Sequence, residues 1–287
     1  MKKVVGIISL ALCAVFIQPA SAADEKVIAI IDTAIDSSKF SNIIYEVCFT
    51  GNLSCPNKTN FQEGITSANV SRWDASDIGH GYNVVYSAVN TNKDIKIVFI
   101  RISDLSVTSA GKYIAYNQGV SLDKAIDWVT KNASKYSIDA ISISQARTNF
   151  TKGTCPVNVL FQKSVQTLLK SNVATFAGTG NDGLKDSIAF PACIPGVFPV
   201  GALAPDGTII SYSNTSMLVK VLANGCLQYN GNICVKTPDF AGVMRATTGT
   251  SIATPIAVSK LMGLWNGQDW ATFISSLPKG NGFALAK

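Results

Sequence analysis

The sequence predicts an α/β fold, a mostly parallel central sheet with helices on both faces. Three observations predict it. Short runs rich in Ile and Val recur along the chain and read as strands buried on both faces. Longer amphipathic stretches fall between them and supply the crossovers that parallel strands need. Polar residues with chemical potential, Asp32, Ser144 and Asn181, stand at or just past the ends of apolar runs. On parallel sheets, ligands and catalysts gather at the carboxyl ends of the strands.

Taken in order, residues 26–31 (KVIAII) read as the first strand, closed by Asp32-Thr33. The next forty-odd residues read as irregular, with a first cysteine pair and a polar stretch. Residues 79–89 read as a helix and 95–102 (IKIVFIRI) as a strand. A helix follows over 122–131, a strand over 138–144, a helix over 157–169 and a strand over 173–177. Residues 197–203 form a further strand, with shorter strand-like pieces around Ile209 and Leu218. A helix starts near Thr250 and runs to Trp265, and a last one covers 269–277. No repeat and no linker-like stretch divides the chain, so one domain over residues 23–287 is expected.

Composition removes several classes. Hydrophobic residues make up 47% of the 287 and charged residues only 15%, which favours collapse and excludes a disordered chain. The net charge of +6 carries no Lys/Arg cluster, so nucleic acid is not an expected partner. A surface with so few charges must be wetted by Ser, Thr and Asn, as exported proteins often are.

The N-terminus supports export. Lys2 and Lys3 precede 14 apolar residues, Val4 to Ile17, and then Gln18-Pro19-Ala20-Ser21-Ala22. A basic start, a short apolar run and a small-x-small ending describe a secretory signal cut after Ala22. The run is shorter than the ~20 residues a bilayer needs, so no membrane anchor is expected. Leu12 before Cys13 does not fit a lipoprotein signal. Cleavage leaves a secreted or periplasmic chain of 265 residues with 22 basic and 18 acidic residues and six cysteines.

Six cysteines in an oxidising compartment suggest three disulfides, among 15 possible pairings. Cys48 with Cys55 and Cys226 with Cys234 are close in sequence and sit in Asn/Gly-rich stretches. If both pairs bridge, Cys155 and Cys193 are left to each other; the alternative is that some thiols stay free. One histidine and no Cys-x-x-Cys argue against zinc.

Candidate catalytic residues emerge at four places. Asp32 closes a buried strand, where an acid can hold an imidazole in one tautomer or simply cap a turn. His80, the only histidine, lies in Gly79-His80-Gly81 at a helix start. Asn181 lies in Gly178-Thr179-Gly180-Asn181-Asp182-Gly183, where a side-chain amide can donate to an oxyanion or merely shape a turn. Ser251 opens a helix in Gly249-Thr250-Ser251-Ile252-Ala253-Thr254-Pro255. Small residues there allow close backbone approach to a ligand, and the helix start favours a developing anion. Each of these features alone has an ordinary structural explanation.

Two competing motifs fail. Gly178-x-Gly180-x-x-Gly183 fits a dinucleotide fingerprint only if it opens a helix, and Pro191 and Pro195 follow instead. Gly249-Thr250-Ser251-Ile252-Ala253 lacks the second glycine of a nucleophile elbow.

The order Asp, His, Asn, Ser is the one that matters, because it is the subtilisin order of the catalytic triad. The chain resembles a subtilisin-like serine protease, a subtilase. Ile31-Asp32-Thr33-Ala34-Ile35 is similar to the family's Asp motif, with Ala34 where Gly is usual. His80-Gly81-Tyr82-Asn83-Val84 is similar to its His motif, residues 177–183 resemble its oxyanion motif, and residues 249–255 resemble its Ser motif with Ile252 replacing Met. Residues 190–192, 197–202, 211–214 and 282–286 resemble later landmarks.

The resemblance implies an exported serine endopeptidase acting on a protein or peptide substrate, with no metal and no organic cofactor. It implies Ser251 as nucleophile, His80 as base and acid, Asp32 as the group that orients His80, and Asn181 as oxyanion donor. Family members often bind calcium, but no acidic loop here nominates a site.

Three departures qualify this expectation. Asp32 lies ten residues after the expected cleavage, which leaves no room for an N-terminal prodomain. The domain then folds unaided or with a separate folding or inhibitory partner. Tyr82 and Tyr86 add bulk near His80, and Ser144-Gln145-Ala146 replaces the usual Ser-Leu-Gly substrate strand, so narrow specificity is expected. The alternative is a catalytically idle subtilase fold serving as a binding module, which has no physical need to keep all four positions filled.

Overall fold

The computed structural model describes residues 25–286 apart from 75–77, 118, 156–157, 227, 231, 234, 240 and 281–282. The expected signal segment, Cys234 and Gly282 lie outside the described residues.

Within them, β1 (Val27–Asp32) is followed by β2 (Ile43–Phe49) and β3 (Phe61–Glu63). Helix α1 (His80–Thr91) leads to β4 (Lys96–Arg101) and a hairpin of β5 (Ser103–Val107) and β6 (Tyr113–Asn117). Then come α2 (Gly119–Asn132), β7 (Ile138–Ile143), β8 (Arg147–Lys152), α3 (Val159–Lys170), β9 (Ala174–Gly178), β10 (Ser187–Phe190) and β11 (Val197–Leu203). The C-terminal third holds β12 (Val221–Asn224) and the small hairpins β13–β14 (Gln228–Tyr229, Asn232–Ile233) and β15–β16 (Lys236–Pro238, Met244–Ala246). It ends with α4 (Thr250–Leu264), α5 (Trp270–Ser276), β17 (Lys279–Gly280) and β18 (Phe283–Leu285).

Ten strands form one sheet in the order β17-β18-β12-β11-β9-β7-β1-β4-β2-β3. Pairing is parallel from β2 across to β18 and antiparallel only at the outermost strands β3 and β17. The central strands are buried on both faces. Ile28 and Ile30 of β1 pack into a core with α1, α4 and α5, while Val27, Ala29 and Ile31 pack into one with α2 and α3. This is the predicted architecture, with helices on both faces. No helix among the described residues is long and apolar enough to cross a membrane.

The structure departs from the sequence reading in the stretch expected to be irregular. Residues 43–49 (IIYEVCF) form an inner parallel strand beside β4. Glu46 interrupts its apolar run, yet Glu46 is fully buried. Its two carboxylate oxygens accept the backbone N–H groups of Thr66 at 2.8 Å and Ala68 at 2.9 Å. A buried acid is tolerated because it is hydrogen-bonded, and only the fold brings those donors to it. The β5–β6 hairpin is a second element that the apolar pattern does not predict. Buried Arg101 anchors it, donating to Ser103 O at 3.0 Å and to Asn69 O at 2.6 Å. Burial pulls the Arg101 guanidinium down to about 10, still charged at neutral pH. The piece expected near Leu218 forms three residues later, as β12, and Ile209 makes only a single bridge to Leu203.

Cys48–Cys55 and Cys155–Cys193 are bridged. Cys226 is also disulfide-bonded, and Cys234, its expected partner, lies outside the described residues. The second bridge closes a sequence separation of 38 against 7 for the first. By chain-entropy arithmetic it constrains the unfolded chain by about 4 kcal/mol against about 2 kcal/mol.

Candidate active site

Asp32 ends β1 and is completely buried. Its Oδ1 accepts the backbone N–H of Thr33 at 2.7 Å. The Thr33 hydroxyl donates to Ile78 O and accepts Gly81 N–H, both at 2.8 Å. This single hydroxyl therefore ties the end of β1 to the first turn of α1. Gly81 permits the approach, because a Cβ there would lie 2.5 Å from Ala34 O and 2.8 Å from the Phe99 ring. His80, the first residue of α1, is carried against Asp32, with Nδ1 2.7 Å from Oδ1. A carboxylate there accepts the Nδ1 proton, so Nε2 is left as the acceptor.

Gln145 joins this pair. Its Nε2 lies 3.0 Å from Asp32 Oδ1 and 3.1 Å from His80 Nδ1. Among the described residues Asp32 Oδ2 has no hydrogen-bond partner. A buried charge left half unsatisfied costs stability, and such groups cluster where the charge is used.

Ser251 stands in the first turn of α4, a helix whose interior residues are buried almost all round. Pro255 lies four residues on and has no N–H to give the Ser251 carbonyl. The Ser144 hydroxyl donates to that carbonyl instead, at 2.7 Å. Ser144 and Gln145 are consecutive, so one segment past β7 touches both Ser251 and the Asp32–His80 pair. The sequence signal for such a donor is Pro255, which deprives the Ser251 carbonyl of its helical partner.

Asn181 is oriented by Thr250. Its Oδ1 accepts Thr250 N–H at 2.8 Å and the Thr250 hydroxyl at 3.0 Å. That hydroxyl also accepts Gly180 N–H at 3.2 Å. With the carbonyl end fixed, the Asn181 Nδ2 donor turns away from Thr250 and has no acceptor among the described residues. Gly249 (φ +133°) marks where it points: a Cβ there would sit 2.9 Å from Ser251 Oγ and 3.3 Å from Asn181 Nδ2. Glycine keeps that space open between a hydroxyl and an amide donor, and the geometry suits an oxygen carrying developing charge. Sequence reasoning misses Thr250 as an orienting residue.

Tyr212, missed as well, braces the same turn. Its phenol donates to Gly225 O and accepts Gly249 N–H at 3.1 Å. Burial keeps that phenol above its ordinary range, so it remains a donor.

The four expected residues thus lie around one site. Asp32 and His80 are bonded directly, and Asn181 and Ser251 are joined through Thr250. Ser251 Oγ makes no hydrogen bond among the described residues, so the hydroxyl-to-imidazole contact is the one not made here. Such contacts are often long before a substrate binds. A pocket of about 230 Å³ opens beside Ser251 and Asn181, walled by Ser144, Ala146, Arg147 and Gly178. No group of three or more His, Cys, Asp or Glu side chains able to hold a metal ion occurs among the described residues.

Solved structures with this fold include a protease from Pseudoalteromonas arctica, at 17% identity and a TM-score of 0.69 over 91% of this chain and 85% of that one. The nisin leader peptidase of Lactococcus lactis superposes at 15% identity and 0.66 over 92% and 86%. A cold-adapted subtilisin-like serine proteinase does so at 19% identity and 0.61 over 90% and 83%. No curated protein matches the chain in sequence. The subtilase family (peptidase S8) matches residues 23–275. With that match over most of its length, and with the fold to go with it, the chain belongs to the subtilase family of subtilisin-like proteases.

Proposed function

We propose that the protein is an active, exported serine endopeptidase that hydrolyses peptide bonds through Ser251, His80 and Asp32. The observation that carries this reading is the 2.7 Å contact between His80 Nδ1 and Asp32 Oδ1, tied to the Ser251 carbonyl through the Ser144-Gln145 segment. An idle domain gains nothing from burying a carboxylate against its only histidine.

In the proposed mechanism, Ser251 Oγ attacks the scissile carbonyl while His80 Nε2 takes its proton. Asp32 holds the ring in the required tautomer and stabilises the imidazolium. The oxyanion falls between Asn181 Nδ2 and the Ser251 backbone N–H. His80 then protonates the leaving amine, and water repeats the sequence to release the acyl group. Asn181→Ala is expected to lower kcat by roughly 10²–10³, the range recorded for the equivalent loss in subtilisin itself. KM should change little, which steady-state kinetics on one peptide checks.

Export fits the signal-like residues 1–22 and the bridged cysteines. Narrow specificity rests on Ala146 in the wall of the pocket beside Ser251; Tyr82, expected to crowd His80, is instead buried against Phe40 and lines a different cavity with Tyr86.

Fluorophosphonate labelling of the purified protein tests the proposal. Such reagents react with a serine made nucleophilic by a nearby base. Wild type should label and Ser251→Ala and His80→Ala should not. A folded wild type that stays unlabelled would favour the binding-module reading.

A further inference from the structure

The pocket beside Ser251 carries a charge that the reaction itself does not use. Arg147 lines it, together with Ser144, Ala146, Asn181 and Ser251. The side chain is half-buried, and its guanidinium lies 4.8 Å over the Phe190 ring. Phe190 is the residue that faces Arg147 across the β8–β10 pairing. The fork also occupies the space a Cβ at Gly119 would fill, since that atom would come within 1.6 Å of Nη2. Phe190 and the bare Gly119 backbone therefore hold the guanidinium in place.

Held there, it has five donors and no hydrogen bond to any described residue. The carboxylates nearby do not engage it. Asp123 lies within its field, but its carboxyl accepts the Asn158 side-chain amide at 3.0 Å. Asp182, on the pocket's other side, is exposed and accepts Asn214 Nδ2 at 3.2 Å. A half-buried guanidinium without an acceptor favours a ligand that brings one, and a carboxylate matches its fork with two parallel hydrogen bonds.

Position decides which carboxylate. A carbonyl carbon at Ser251 Oγ with its oxygen toward Asn181 Nδ2 places the substituent of the adjoining Cα in the cavity those two residues line. At about 230 Å³ the cavity has room for a glutamate-sized side chain. We infer that this protease cleaves after acidic residues, with Arg147 binding the carboxylate of the Glu or Asp that precedes the scissile bond. The inference rests on the serine-protease reading above and adds its substrate class.

The test uses two matched peptidyl phosphonates, one with a Glu and one with a Leu side chain next to phosphorus, alongside a plain fluorophosphonate. Wild type should react at least 10-fold faster with the Glu probe than with the Leu probe. In Arg147→Met that ratio should fall about 10- to 100-fold, as expected for losing one charge-assisted pair. Arg147→Lys should keep part of it. Because each ratio is internal to one protein, partial misfolding does not imitate the effect. Peptides differing only in Glu, Asp, Leu or Lys at that position should rank the same way by kcat/KM. A Leu or Lys preference in wild type, or a Glu preference that survives in Arg147→Met, overturns the inference while leaving the serine-protease reading intact. Failure of every probe, plain fluorophosphonate included, overturns that reading and the inference with it.

Discussion

Ser251→Ala is expected to lower kcat by about 10⁶, with little change in thermal stability. The magnitude is that of subtilisin, where removing the nucleophile costs about as much as removing the whole triad. The stability expectation comes from the contacts of Ser251 itself. Its Oγ has no hydrogen-bond partner among the described residues, and the contact that pins the residue is from Ser144 to its backbone carbonyl. Alanine keeps that carbonyl and fits the first turn of α4 with better helix propensity. Active-site-titrated wild type compared with the variant in a peptide assay, beside two melting curves, measures both quantities. Activity within 10-fold of wild type would mean that another group supplies the nucleophile. A fall in Tm of many degrees would mean that the hydroxyl holds the fold.

Asp32→Asn is expected to cost about 10⁴ in kcat, the loss seen when a triad aspartate becomes an amide. The geometry supplies the reason. At 2.7 Å from His80 Nδ1, an Asn nitrogen donates where the carboxylate accepted. The imidazole then carries its proton on Nε2, facing the hydroxyl it is meant to deprotonate. Stability should stay near the wild-type level, because two changes oppose each other. Asp32 is fully buried and one of its carboxylate oxygens has no partner among the described residues. The substitution removes a charge incompletely compensated in the core, but the nitrogen that faces His80 takes the place of the same Oδ1 that accepts Thr33 N–H, so that backbone donor loses its acceptor. A variant that is slow but melts near the wild-type temperature fits a carboxylate kept for its chemistry. A variant that fails to fold would show instead that the Asp32 charge is structural.

Much of the fold behind these expectations is legible in the sequence. Parallel strands buried on both faces write nearly continuous apolar runs, so 26–31, 95–102 and 138–144 are readable as strands. The carboxyl ends of such strands are where a site belongs, which singles out Asp32 and Asn181. The order of Asp, His, Asn and Ser points to the family. Strand β2 is not legible, because Glu46 breaks its apolar run and its burial depends on N–H groups some twenty residues away. Thr250 and Tyr212 look like ordinary polar neighbours of small residues, since what they brace is brought to them by the fold.

By itself, then, the sequence determined the layering of the fold and which residues stand at strand ends and helix starts. Burial leaves a local imprint on composition and periodicity, so those features survive in a one-dimensional reading. The tertiary structure alone decided how the site is held and what faces it. Gln145 meets Asp32 across 113 residues, and Ser144 meets Ser251 across 107. Both contacts exist because the sheet places β7 next to β1 and α4 packs on β7. The same strand order, with β8 paired to β10 nearby, sets Arg147 against Phe190 in the pocket wall. Sequence spacing has no way to encode which strand becomes whose neighbour; the balance of buried surface over the whole sheet settles that.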